Sequence, residues 1–360
     1  MNLIVKKYGG TSVATATKIK NIAKKIVDES RSSKIVVVLS AMGKTTDQLV
    51  SLANKCSKNP DGRDYDLLVS SGEQVSISLL SMAIKQLGKD SIAYTGWQAG
   101  IKTNNTHASA RITQIDTSRI KKSLKEGKIV IIAGFQGINS GSITTLGRGG
   151  SDTSAVAIAA ALKASECQIY TDVDGVYTTD PRVCNKARKV DTMTYEEMLE
   201  MASLGAKVLQ TRSVETAMNN DVVLRVLSSF SDIGKKKKGT LVCSEDSISD
   251  KKIVTGVAAS PNDAKLTLTG IKDKPGVAAE ILGTLAENNI NVDMIVQNIS
   301  NDRKTTDLTY TVPKDEFDNA KGLMDKLSDS LSYENLIVDS NIAKISIVGV
   351  GMRSNAGVAS

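Results

Sequence analysis

Apolar positions in the first part of the chain gather into short continuous runs at Leu3–Val5, Ile35–Leu39, Ile129–Ala133 and Gln168–Tyr170, each bounded by Gly, Ser or Asp. Runs of this kind between helical stretches predict an α/β fold, a mostly parallel sheet sandwiched by helices. Thr153–Ala164 is alanine-rich and apolar, which predicts a buried helix with Ser151 and Asp152 at its N-terminus. From about Leu241 the pattern changes. "AKLTLTGIKDKPGVAAEILGTLAENNINVDMIVQNIS" reads as a strand, a Pro-Gly turn, an amphipathic helix and a second strand. "AKLTLTGI" at Ala264 recurs as "AKISIVGV" at Ala343, and "PGVA" (Pro275–Ala278) is echoed by "AGVA" (Ala356–Ala359), which predicts an internal repeat of an α+β βαββαβ unit.

The expected division is residues 1–240 for the α/β domain, 241–340 for a linker and the first repeat, and 341–360 for the start of a second. That second copy has only its first strand, Lys344–Val350, a turn and "GVAS". Four residues cannot nucleate a helix, and a lone strand exposes its pairing edge. The expectation is therefore that the natural chain extends well beyond Ser360, and that any other chain covering the strand edge is a second subunit's tail, which implies a homodimer.

Composition narrows the chemistry. In 360 residues, 41% hydrophobic content supports two or three cores, and 3% aromatic content makes them aliphatic and argues against base-stacking nucleic-acid modules. A net charge of +7 suits an anionic ligand, although the densest basic run, Lys235–Lys238, reads as a solvated turn. Cys56, Cys167, Cys184 and Cys243 form no CxxC pair, and the sequence shows no signal peptide or long apolar span; a cytoplasmic protein with no disulfides and no membrane partner is expected. The one histidine, His107, argues against His relays and His-ligated zinc, and reads as a polar loop residue.

The strand ends carry the candidate chemistry: "KKYGGTS", "SAMGKTTD", "GFQG" and "TDVDGVYTTDPR" follow the apolar runs, and loops at carboxyl strand ends are where open α/β sheets hold ligands. Gly9-Gly10, between Lys7 and Thr11-Ser12, has the parts of a phosphate cradle without the GxxxxGK[ST] of a Walker loop; a tight turn beside a solvated lysine is the bland alternative. Arg148, flanked by Gly147, Gly149 and Gly150, offers a bidentate fork for a carboxylate at a helix start, unless Arg148 is a surface charge and Asp152 a cap. Glu73 in "VSSGEQVS" suits a substrate ammonium or, alternatively, only complements its helix dipole. Thr171, Asp172, Tyr177 and Arg182 are placed to border a nucleotide, with Asp174-Gly175 as a turn and Asp180-Pro181 structural. Cationic and amide donors without a metal cluster or a His-type base suit phosphoryl transfer to an acceptor that is already an anion.

In this order, "KKYGGTSVA", "LSAMGKTTDQL", "SSGEQVS", "GFQG", "TTLGRGGSDTSA" and "TDVDGVYTTDPR" resemble the aspartokinase family of the amino-acid kinase superfamily. "EMASLGAKVLQTRSVE" and repeats similar to ACT domains extend the resemblance over essentially the whole chain. It implies an amino-acid kinase-like sheet followed by ferredoxin-like ACT repeats, and transfer of the ATP γ-phosphoryl to the β-carboxylate of L-aspartate, the step that opens lysine, threonine and methionine synthesis. It further implies Lys7 and Asp152 as catalytic residues, and an ATP site of Lys7, Tyr8, Gly9, Gly10, Ser12, Thr171, Asp172, Tyr177, Arg182, Lys207 and Val208. Aspartate would be held by Ser40, Thr45, Glu73, Arg148, Gly149, Gly150 and Ser151. Magnesium (Mg2+) would ride on the phosphates with no assigned protein ligand.

An end-product effector, lysine and/or threonine, is expected at Asp273, Lys274, Pro275, Gly276, Val277 and Ala278, with Asn291, Val292 and Gln297 on the following strand segment. Assembly as a homodimer or higher homo-oligomer through the ACT domains follows from the same resemblance. Leu227 stands where the family often has arginine, outside these motifs. Rival readings are a sibling kinase acting on acetylglutamate, glutamate, carbamate or UMP, and a non-catalytic amino-acid sensor. Glu73 with the ACT-like tail favours aspartate, and the presence of Lys7 and Asp152 argues against a decayed kinase.

Overall fold

The four apolar runs are the centre of an eight-stranded sheet. The structure is a computed structural model and describes residues 1–206, 208–230, 239–248, 253–299 and 305–349. Lys207, the Lys235–Lys238 run and the second copy's turn with "GVAS" lie outside the described residues.

The strands of the first unit are β1 (Asn2–Tyr8), β2 (Ser33–Leu39), β3 (Ser91–Tyr94), β4 (Ile101–Thr103), β5 (Ile112–Ile115), β6 (Ile129–Ala133), β7 (Gln136–Asn139), β8 (Ser142–Thr145), β9 (Glu166–Thr171), β10 (Thr192–Thr194), β11 (Leu224–Ser228) and β12 (Thr240–Cys243). Its helices are α1 (Ala16–Glu29), α2 (Thr45–Cys56), α3 (Gly62–Val69), α4 (Ser71–Gln86), α5 (Ser118–Lys125), α6 (Gly150–Leu162), α7 (Tyr195–Ser203) and α8 (Thr211–Asn219). The large sheet has the order β10-β12-β11-β9-β1-β2-β6-β3 and is parallel except where β11 meets β12. A second sheet, β5-β4-β7-β8, follows it.

Alternate residues of the same strands feed two cores, which is why the runs are continuous. Ile35, Val37 and Leu39 pack with Ile19, Ile22 and Ile26 of α1 and Leu80 and Ile84 of α4. Val36, Val38, Val130 and Ile132 pack on the other side with Ala155, Val156 and Ala159 of α6. Residues 62–86, α3 and α4, are apolar and long enough by composition to cross a membrane, a stretch the sequence reading passed over; half of it is buried in this unit, as a core helix is. The helix expected from Thr153 starts earlier, at Gly150, because Gly149 takes a left-handed conformation (φ 73°) open to glycine, and Ser151 and Asp152 fall in its first turn.

Residues 258–346 form a separate compact unit. It contains most of β13 (Gly256–Lys272), α9 (Val277–Glu287), β14 (Ile295–Ile299), β15 (Thr305–Pro313), α10 (Phe317–Lys326), α11 (Ser328–Leu331) and most of β16 (Asn335–Val348), in a sheet of order β14-β15-β13-β16. Leu266, Leu268, Ile281, Leu285, Leu308, Tyr310 and Met324 make its core.

Two expected boundaries move. Residue 240 opens β12 of the large sheet, where the buried Thr240 hydroxyl bonds Val190 O (2.6 Å), so the first unit runs on to Val257. Residue 341 falls inside β16, which starts at Asn335 rather than Lys344. Its polar Asp339-Ser340-Asn341 does not interrupt the strand, since positions there are exposed and make no demand for apolar side chains.

Candidate active site

Parallel register brings five strand ends to one edge. Tyr8 pairs with Leu39 and Tyr170, Leu39 with Ala133, and Tyr170 with Leu227. The residues just beyond are stitched by backbone bonds: Ser40 N to Tyr8 O (3.1 Å), Gly134 N to Leu39 O (2.9 Å), Ser229 N to Thr171 O (2.9 Å) and Gly9 N to Tyr170 O (3.4 Å). β1 lies where strand order reverses, with β2 on one side and β9 on the other, the switch point at which such sheets bind ligands.

Lys7 emerges at this edge on the α6 side. Its Nζ is 2.5 Å from Asp152 Oδ1, with 12% and 10% of the two side chains exposed. Asp152 sits in the first turn of α6, where the helix dipole favours a carboxylate. Its Oδ1 accepts no well-aligned hydrogen bond, so charge rather than direction holds the pair. A Cβ on Gly10 would lie 2.8 Å from Gly43 O and 3.0 Å from Ala41 O, so only glycine lets the turn after β1 close on the loop after β2. The short 3-10 turn Gly10–Val13 has no side-chain cap, which leaves its first amides for a ligand.

Tyr8 and Ser12, expected at the phosphates, are turned away. Strand alternation puts Tyr8 on the face opposite Lys7, 1% exposed and stacked on Tyr170 with ring centroids 4.4 Å apart. The Ser12 hydroxyl is buried against that of Ser229 at 2.5 Å.

Glu73, in the first turn of α4, is 2% exposed. Its Oε1 accepts from Ala41 N (3.0 Å), while Oε2 has no partner among the described residues. Burial pushes its carboxyl up to about 7, against the pull of backbone amides including that of Ala41. A buried acceptor left unpaired costs roughly 1–3 kcal/mol, which a cation arriving at Oε2 would recover. Ser40 O accepts from Ser76 Oγ (2.8 Å), and the Thr45 hydroxyl is turned back to Met42 O (2.6 Å). Arg148 is exposed and makes no ion pair among the described residues. The glycines on either side of it, Gly147 and Gly149, both have left-handed backbones. Ser151 is buried and packs so closely on Gly134 that a Cβ there would lie 2.8 Å from its own.

On the β9 side, Thr171 Oγ1 donates to Asp172 Oδ1 (3.0 Å), and Tyr177 OH to Asp174 Oδ1 (2.8 Å), which also pairs with Lys189 (3.0 Å). Arg182 is exposed, and its Nη2 and Nε chelate Asp180 at 2.7 and 3.0 Å. This is a solvent-exposed pair between residues two apart, which holds the guanidinium only weakly. Val208 is half-buried beside the core. Among the described residues no group of three or more His, Cys, Asp or Glu is placed to hold a metal.

A profile of the Amino acid kinase family matches residues 2–228, and one of the ACT domain matches residues 266–329. The aspartate kinase of Pseudomonas putida is 52% identical over 100% of this chain and 87% of its own length, and aspartokinase 2 of Bacillus subtilis is 49% identical over the same shares. The chain belongs to the aspartokinase family. E. coli aspartokinase III, solved with aspartate and ADP in its R-state, superimposes with a TM-score of 0.80 at 27% identity, over 99% of this chain and 90% of that one. The same enzyme with lysine and aspartate in its T-state gives 0.77 at 28% identity, over 96% and 87%.

In this aspartokinase-family chain the residues expected to hold an effector separate. Asp273–Gly276 form an exposed turn, and Gly276 (φ 96°) is the N-cap of α9. The 11 residues of α9 span about 16 Å. Asn291 and Val292 therefore lie at its far end, ahead of β14 rather than on it, and border with Leu282 and Ala286 a groove of ≈ 550 Å³. Gln297 is on β14 and donates to Thr306 Oγ1 (3.2 Å), nearer the turn.

Sequence reasoning also missed five contributors. Ser229 ties the ends of β1 and β11, and two adjacent serines after a strand were its signal. Lys6, next to Lys7, is fully buried and paired with Glu29 and Tyr170 OH. Gln210 packs where a Cβ on Gly149 would sit, and Arg212 donates to Leu146 O (3.0 Å). Asp66 is fully buried against His107 (2.6 Å), which makes His107 more than a loop residue.

Proposed function

We infer that this chain transfers the γ-phosphoryl of ATP to the β-carboxylate of L-aspartate, giving 4-phospho-L-aspartate and ADP. The observation that carries the reading is the half-satisfied buried carboxylate of Glu73 on the loop network that also holds the Gly9-Gly10 turn and, beside it, the Lys7–Asp152 pair. Aspartate binds with its ammonium on Glu73 Oε2 and its α-carboxylate on the Arg148 fork, so its β-carboxylate is turned toward Lys7. The turn amide of Gly10 holds a phosphate oxygen, with Gly9 leaving room for the close approach, and Lys7 follows the migrating phosphoryl group while Asp152 fixes the ammonium of Lys7. The attacking carboxylate has no proton to lose, so no general base is needed; the work is to bring two anions together and to stabilise a loose transition state. The nucleotide lies along Thr171, Asp172, Tyr177 and Val208, with its magnesium (Mg2+) held mainly by phosphates.

In this reading residues 1–257 catalyse and the ACT-type unit senses lysine and/or threonine, in a cytoplasmic homodimer or higher homo-oligomer at the step that opens lysine, threonine and methionine synthesis. The E. coli relative solved with lysine and aspartate supports the sensing role. The test is ADP release from ATP with aspartate, glutamate or UMP as acceptor, repeated with lysine and with threonine. Release that depends on aspartate and falls with one effector is expected; release with glutamate or UMP instead would overturn the reading.

A further inference from the structure

We propose that Asp66 is a positioning residue that locks the Arg148 loop to the helix leading to Glu73, and so sets the spacing between the partners of the substrate's ammonium and α-carboxylate. The inference rests on the functional reading above.

Asp66 lies on α3 and is fully buried. Its Oδ2 hydrogen-bonds His107 Nδ1 (2.6 Å), and Oδ1 accepts from the Thr145 hydroxyl and from Ala108 N (3.0 Å), whose N–H also reaches Oδ2 (3.2 Å). A buried carboxylate is costly unless its oxygens are met, and here three groups from two distant segments meet them.

All three groups belong to the root or the floor of the Arg148 loop. Thr145 ends β8, three residues before Arg148. Ala110 N bonds Thr145 O (2.9 Å), and a Cβ on Gly147 would lie 3.0 Å from Ala108 O, so residues 107–110 underlie the loop. Ala108 itself has φ 59°, a left-handed backbone unusual for a residue with a side chain. Such a conformation persists only where the surroundings hold it. The Asp66 carboxylate on its N–H is one such hold.

On the other side, Ser70 N bonds Asp66 O (3.1 Å), Ser70 O accepts from Gln136 Nε2 (2.9 Å), and α4 begins at Ser71 with Glu73 in its first turn. One carboxylate therefore joins the segment carrying the ammonium partner to the segment carrying the carboxylate clamp. The ammonium and α-carboxylate of aspartate share one carbon, so the spacing of their two partners fixes that carbon and with it the place to which the β-carboxylate is delivered.

The test uses the full chain with Asp66→Asn, which keeps the shape but presents an amide N–H to donors, and with His107→Gln. A misplacement of about 1 Å costs on the order of 10²-fold. For Asp66→Asn the KM for aspartate should rise about tenfold or more while that for ATP stays within about twofold. In an Arg148→Ala background the same substitution should add little, since the loop it positions has lost its clamp. Equal rises in both KM values, a fall in kcat alone, or full additivity with Arg148→Ala would overturn the proposal. Should Asp66→Asn fail to fold, His107→Gln carries the test. It removes one of the three partners at a partly exposed position, and an aspartate KM unchanged there would equally overturn it. A wild-type chain inactive on aspartate condemns the functional reading, not the positioning.

Discussion

Glu73→Gln separates a ligand-binding carboxylate from a structural one by its pH dependence. Burial raises the Glu73 carboxyl from 4.5 to about 7. The unfolded chain releases this proton near 4.5 and the folded chain holds it to about 7, so between these values the folded state binds more protons and stability falls as pH rises. The contribution is fully present below 4.5 and lost above about 7. A shift of that size corresponds to about 3 kcal/mol against the folded apo-protein at pH 8. Glutamine removes that penalty; its oxygen keeps the Ala41 N–H, but its amide nitrogen takes the unpartnered position of Oε2 at a cost of about 1 kcal/mol. The variant should therefore be more stable than wild type by about 2 kcal/mol at pH 8, with a difference near zero at pH 5. For a unit of this size that is a rise of about 4–8 °C in Tm at pH 8. Thermal melts followed by circular dichroism at both pH values read it directly. Aspartate should raise the wild-type Tm and barely move the variant, whose KM for aspartate rises while that for ATP holds. A variant destabilised equally at both pH values, with both constants shifted together, would refute the reasoning.

Lys7→Ala should cut turnover by about 10²–10³, the scale of one preorganised donor, and lower Tm because it leaves the nearly buried Asp152 carboxylate without its countercharge; steady-state rates and a melt check both halves. Gly10→Ala drives a Cβ against two backbone carbonyls and should cost about 1–3 kcal/mol and raise the KM for ATP; urea melts and ATP titration that match wild type would contradict the close approach. Asp273→Ala should raise the lysine or threonine concentration needed for half-inhibition and leave uninhibited turnover alone, as dose–response curves would record.

Strands buried on both faces were legible because every residue of a run such as Ile35–Leu39 must be apolar. The three- and four-residue strands β3, β4, β5, β7 and β8 carry too few positions to establish a period. Lys7 and Glu73 stand out in the sequence because each interrupts or follows an apolar pattern beside small residues. Motif membership alone misjudged Tyr8 and Ser12, since only strand alternation and packing decide which face a side chain takes. Asp66 had no local signal at all: its partners lie 41, 42 and 79 residues away. His107 looked partnerless for the same reason. The division at residue 341 misled because a repeated strand sequence does not mark where a strand begins.

The central claim is that the Lys7, Glu73 and Arg148 edge makes an acyl phosphate on aspartate. Trapping the product with hydroxylamine in the presence of ATP and aspartate, and identifying the hydroxamate by mass spectrometry, tests it most directly. The account predicts aspartate β-hydroxamate in step with ADP. ADP without hydroxamate, or hydroxamate formed on the α-carboxylate, would contradict it.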